Sequence, residues 1–287
     1  MTRRLLSEAC CVEAEDMRTG WQIRLGTTLG AFVAVIWLAT SLYASPGQSE
    51  TCALSPDHAG LTFPLEKVDP DWACRLQEII GNYTTANKLG PLRTPLPEAV
   101  YVYLLDRPPM AATLVNRLGI APYQAEMRGP GRYWATDGEG TGGIVQLVHQ
   151  DRTSRIYYLE GSHNSLFLPD VTGKAVVLLR INPVTDSDGV EAVESTLVTY
   201  TRLNNRLLSG FVSLFRSLVS SAVTRKLTKG IDSVNRLSPM ILQQPDRVLS
   251  EAMKPPTLPS DEMDFLKHML VNVHQLSGAT PFRTTSP

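Results

Sequence analysis

A surplus of charge of either sign is missing from this chain: 27 Lys and Arg stand against 28 Asp and Glu, a formal net charge of -1. Proteins that bind nucleic acids generally do so by neutralising phosphates, so that role is excluded as a general one. The signatures of the common hydrolases are missing too, with no Gly-x-Ser-x-Gly elbow and no His-Glu-x-x-His. Histidines are few. His149 and His163 flank a hairpin near Asp137, Glu139, Asp151 and Glu160, but recognised ligand spacing is absent, so no metal and no other cofactor is expected. Gly138, Gly140, Gly142 and Gly143 are followed by Ile144-Val145-Gln146-Leu147-Val148, a strand pattern without Lys-Ser/Thr, which excludes a phosphate loop and points to a hairpin turn. A mean hydropathy of -0.07 excludes a polytopic membrane protein. Hydrophobic residues at 43% are enough to bury a core and exclude global disorder.

One long apolar run is present. Residues 25–44, from Leu25 to Ala44, hold no charge, and as a helix they reach about 30 Å, the thickness of the hydrocarbon core. Arg3, Arg4, Arg18 and Arg24 precede the run and no basic residue follows before Lys67, so the N-terminus is expected in the cytoplasm and the rest outside it. Two fates fit the flanks. Read from Met17, the run resembles a signal peptide ending at Ala44, but Leu42 is a poor fit to a cleavage site and the length favours an uncleaved single-pass anchor. Cysteine usage agrees with export: Cys10 and Cys11 precede the run, and only Cys52 and Cys74 follow it. A bridge between these two would close a loop of about twenty residues, worth about 3 kcal/mol in the chain-entropy model. The alternative is two unpaired thiols, Cys74 being buried on a helix beside Trp72.

Five segments follow from these patterns: a cytoplasmic segment (1–24), an anchor or signal (25–44), a tether with a short helix (45–90), a globular domain (91–238), and a helical extension with a tail (239–287). Pro, Ser and Gly between 45 and 71 suggest a tether, and Asp71–Tyr83 a short helix. Pro91–Pro97 suits an edge strand, Pro97–Arg107 and Met110–Leu118 two short helices. Strands are expected at 123–128, 132–136, 143–149, 155–161, 174–181 and 190–202, joined by tight turns and therefore antiparallel. From Asn204 or Asn205 an amphipathic helix carries Phe211, Phe215, Leu218 and Leu227 in a wide apolar stripe and ends at Ser238-Pro239, followed by helices at 246–252 and 261–275.

The segment Pro97-Glu98-Ala99-Val100-Tyr101-Val102-Tyr103-Leu104-Leu105-Asp106-Arg107-Pro108 resembles the first helix of the helix-grip, or START-like, superfamily, which includes polyketide cyclases and lipid-transfer domains. Arg128–Asp137 and Thr199–Arg206 are similar to an uncharacterised bacterial branch of that group. The resemblance covers about residues 91–238, and no catalytic motif carries over from it. It implies an α+β helix-grip fold, an antiparallel sheet wrapped round a long C-terminal helix, here preceded by the transmembrane or signal helix. It also implies a cavity between sheet and helix.

With that fold, Phe211 and Phe215, one turn apart, are the expected cavity wall, with Tyr158, Tyr200 and Leu218 as further lining. The expected partners are a hydrophobic small molecule or lipid, and the membrane beside which the domain is held. Two other functions fit the same residues. One is a cyclase- or hydratase-like enzyme using a carboxylate such as Glu160 or Glu194. The other is a structural or partner-binding module with a closed core.

Overall fold

The computed structural model describes residues 52–164, 170–187, 189–204 and 212–277, the last with side chains assigned over 216–271. Residues 25–44 and Phe211 lie outside the described residues, as does the side chain of Phe215. The described residues are α+β, a large antiparallel sheet with helices on both faces.

The chain enters through a two-stranded hairpin, β1 (Asp57–His58) and β2 (Leu61–Thr62), and a 3-10 turn at Leu65–Lys67. Helix α1 (Pro70–Gly81) follows. Pro70 sits at its first turn, where the missing N–H is harmless, and the Asp69 carboxylate accepts from the Asp71 N–H at 2.9 Å. This entry segment is not a free tether: Phe63, Leu65 and Val68 are buried against the sheet. The Pro, Ser and Gly that suggested flexibility mark turns between residues that anchor the segment. Cys52 and Cys74 are joined by a disulfide that ties it to α1.

The seven-stranded sheet begins with β3 (Thr85–Thr94). Helices α2 (Glu98–Asp106) and α3 (Pro108–Arg117) interrupt it. Then come β4 (Gln124–Gly129), β5 (Arg132–Thr136), β6 (Thr141–Gln150), β7 (Ser154–His163), β8 (Val171–Thr185) and β9 (Glu191–Leu203). The spatial order is β3-β9-β8-β7-β6-β5-β4, all antiparallel, so a single long connection places the first strand beside the last. Glycines Gly143, Gly161 and Gly173 stand side by side on β6, β7 and β8. A Cβ on Gly143 would meet the Glu160 carbonyl at 2.3 Å and one on Gly161 the Gly142 carbonyl at 2.5 Å, so only glycine allows the backbones to approach this closely there.

Among the described residues three helices follow: α4 (Val212–Gln243), α5 (Pro245–Met253) and α6 (Ser260–Ser277). Helix α4 passes through Pro239 instead of stopping before it. Leu237 and Ile241 are buried on either side of the proline, and the Ser238 hydroxyl donates to the Pro95 carbonyl at 2.7 Å, so packing holds the turn together.

Strand alternation divides the interior into two cores. Ile156, Tyr158, Val176, Leu178 and Val198 point to the face covered by α1 and the entry segment. On the other face, Leu179, Ile181 and Val193 pack with α2, α3, the C-terminal half of α4, α5 and α6. Leu266 in α6 and Val248 in α5 are fully buried, so the extension expected as an appendage completes the main core. Each such side chain contributes about 1.5–3 kcal/mol by leaving water.

Candidate functional site

Helix α4 is held at both sides of the sheet. On the β3 side, the Asn87 amide donates to the Ser220 carbonyl at 3.0 Å and to the Thr224 hydroxyl at 2.8 Å; further along, the Thr94 hydroxyl donates to Asn235 at 2.6 Å. On the opposite side, Lys226 pairs with Asp137 and Lys229 with Glu139, both in the β5–β6 turn. Burial pushes the Asp137 carboxyl up, but Lys226 and the N–H groups of Glu139 and Thr141 outweigh it and hold the group below the usual carboxylate range. Asp137 thus stays ionised and keeps the turn on the helix.

The helix therefore spans β9, β8, β7 and β6. At about 100° per residue, the arc between the two sets of contacts carries Val219, Val223, Leu227, Gly230 and Val234. Opposite this arc stand Val145 and Leu147 of β6, Tyr157 and Leu159 of β7, and Ala175 and Val177 of β8, which share a face by register. The close strand neighbours of α4 among the described residues are on β3, not on these middle strands. Every side chain on both walls is only half-buried. The contrast along β8 is sharp: Val176 and Leu178, on the α1 face, are 0% exposed, and Leu179 and Ile181, further along the α4 face, are 5% and 1% exposed, yet Val177 between them is not buried. One end of the α4 face is filled by the main core; at the other, half-buried apolar side chains of helix and strands face one another, and the strip between them is the candidate crevice.

The inner end of the crevice is polar. Arg155, on β7 one place before Tyr157 on the same face, is 4% exposed. Its guanidinium donates to the Asp106 carboxylate at 3.2 Å and to the carbonyls of Asp151 and Ser154. Tyr157 has Arg155, Asp106, Tyr101 and Tyr133 within electrostatic reach, and burial pushes its hydroxyl far above the usual phenol range.

Phe211 and the side chain of Phe215 lie outside the described residues; of the other three residues expected to line a cavity, Tyr158, Tyr200 and Leu218, the structure brings none to these walls. Tyr158 lies on the opposite face, its ring 5.3 Å from Trp72 and its hydroxyl donating to Glu160 at 2.9 Å. Burial and that carboxylate push its hydroxyl up to about 12. Tyr200 also faces α1, its hydroxyl 2.9 Å from His58 Nδ1 and its ring against His58 and Tyr83. Leu218 points outward from α4 and is 64% exposed. Strand parity accounts for the two tyrosines, since even-numbered residues of β7 and β9 face α1. Leu218 sits about 160° round the helix from the Asn87 contact. The wall residues outside that expected set were legible in the sequence: Tyr157 is one of the aromatics able to line a pocket and the odd-numbered neighbour of Tyr158, and Val223 and Leu227 belong to the apolar stripe of the long helix.

The acid–base candidates fare no better as cavity groups. Glu160 is exposed and Glu194 half-buried, both on even positions that face away from the crevice. His149 Nε2 is 3.7 Å from Asp151, and His163 is bonded to Thr141 at the other end of the hairpin. Among the described residues no three His, Cys, Asp or Glu side chains converge to hold a metal.

A separate cleft of about 310 Å³ opens on the outside, among Asp106, Arg107, Met110, Arg117, Met127 and Leu258. Arg117 is committed there to the carbonyls of Glu251, Ala252, Lys254 and Pro256, so this cleft is the seam where the C-terminal segments dock on α3.

No protein-family model matches the chain, and no curated protein does. Among solved structures, the crystal structure of a conserved protein from Geobacillus kaustophilus aligns at 9% identity over 53% of this chain and 91% of that one, with a TM-score of 0.37. At that TM-score the likeness adds nothing to the strand order and packing described above.

Proposed function

We propose that the globular part is a helix-grip domain that binds a hydrophobic small molecule or lipid between α4 and the middle strands, beside the membrane to which residues 25–44 anchor it. One observation carries the binding reading. A helix fixed to β3 on one side and to the β5–β6 turn on the other leaves half-buried apolar side chains on helix and middle strands. Apolar walls that stay accessible inside a fold represent unfilled hydrophobic area, and an apolar ligand covering them gains about 25 cal/mol per Å². The helix-grip assignment is supported by the strand order, with the first strand beside the last, and by the long helix that follows the last strand.

Membrane attachment rests on the uncharged run and the basic residues before it. Among the described residues no helix is long and apolar enough to cross a membrane, and residues 25–44 lie outside them. The full chain, purified from membranes without delipidation and analysed by native mass spectrometry, is expected to carry one amphiphile per polypeptide. A ligand-free mass at every detergent and lipid load tried would overturn the reading.

A further inference from the structure

We infer that the ligand of this crevice is an amphiphile with a terminal carboxylate, held at the inner end by Arg155 and Tyr157. The inference rests on the cavity reading above and goes beyond it by assigning the ligand a polar end and an orientation.

Arg155 is buried to a 5% exposed side chain, yet its Nε–H has no hydrogen-bond partner, although both terminal nitrogens are occupied. Among the described residues the Tyr157 and Tyr133 hydroxyls have no hydrogen-bond partner, and both are on the crevice face, Tyr133 through its register with Val145 and Leu159. Tyr157 is half-buried and shares its face with the apolar wall residues Leu147, Leu159 and Val177. The groups left open at this end are therefore donors: one guanidinium N–H and two phenol O–H. A buried donor such as the Arg155 Nε–H is ordinarily paired. Among the described residues the carboxylate at this end, Asp106, already accepts from Arg155. A cationic head would meet a guanidinium and find no free anion. A carboxylate would complete the set, accepting from Arg155 and from one or both tyrosines in charge-assisted bonds. Its chain would then run outward between Leu159, Val177, Val223 and Leu227.

The test compares 11-(dansylamino)undecanoic acid with its methyl ester, binding to the full chain in phosphatidylcholine nanodiscs. The readout is tryptophan-to-dansyl energy transfer, with empty nanodiscs as the blank. The acid is expected to bind about tenfold or more tightly than the ester, the size of a charge-assisted hydrogen bond. Tyr157→Phe, which deletes one oxygen, should weaken the acid severalfold and by clearly more than it weakens the ester. Arg155→Gln should abolish the preference. Equal binding of acid and ester, or an acid preference that survives both variants, overturns the carboxylate inference and leaves the cavity reading intact. Binding of neither probe removes the cavity reading and this inference with it.

Discussion

Leu227 and Leu237 lie on one helix and face the same sheet, but their surroundings differ. Leu237 is 1% exposed and packed among α2, α3, α5 and α6, whereas Leu227 is half-buried opposite Tyr157 and Val177. Leu→Ala removes three carbons, a transfer loss of about 2.4 kcal/mol for a fully buried side chain. A cavity term is added where close-packed neighbours fail to collapse, which brings Leu237→Ala to about 3–5 kcal/mol. Leu227 already borders space, so its truncation creates no new cavity and loses about half the transfer term, about 1 kcal/mol. Urea denaturation of the two variants beside the parent chain, with m-values compared to confirm two-state behaviour, measures the difference directly. A loss of 3 kcal/mol or more at Leu227 would mean that the helix packs on the middle strands as a solid core, and the reasoning from half-burial would be refuted.

Reduction of Cys52–Cys74, whose partners are 22 residues apart, should lower stability by about 3 kcal/mol in the chain-entropy model, read as a shifted urea midpoint with and without reductant. His58 is pulled below its usual pKa mainly by burial, so the native state resists protonation; stability should be full above about pH 6.5 and fall as the pH drops towards the depressed native value. Imidazole titration by NMR checks this, and a His58 resonance titrating above 6.5 would contradict it. A reporter fused after Pro287 should be active only outside the cytoplasm, because the basic residues nearest the apolar run all precede it.

Much of the fold was legible because period-2 alternation and turn residues are local signals. All six strands from Gln124 to Leu203 fall within a few residues of their expected places, and the proline-spaced lead-in proves to be part of the edge strand β3. Tertiary packing overrode local signals in two places: at Pro239, which α4 absorbs, and in 52–69, where Phe63 and Leu65 bind a turn-rich stretch to the sheet. The site was less legible for a different reason. Aromatic content identifies side chains able to line a pocket, but the face is decided by strand parity, which inverts with a shift of one residue. Tyr158 and Tyr200 thus joined the α1 core while Tyr157 took the crevice. The bond between Arg155 and Asp106 joins residues 49 positions apart, and only the folded chain shows it.

Filling the crevice tests the central claim most directly. Leu227→Trp places an indole where α4 faces the middle strands, and probe affinity and thermal stability are then measured on the same preparation. The account predicts that apolar probe binding is lost while the melting temperature is unchanged or raised, since the indole covers walls that were accessible. Destabilisation by about 1–3 kcal/mol, the usual cost of overpacking, in a chain whose parent binds no probe would contradict it and leave a closed structural module in its place.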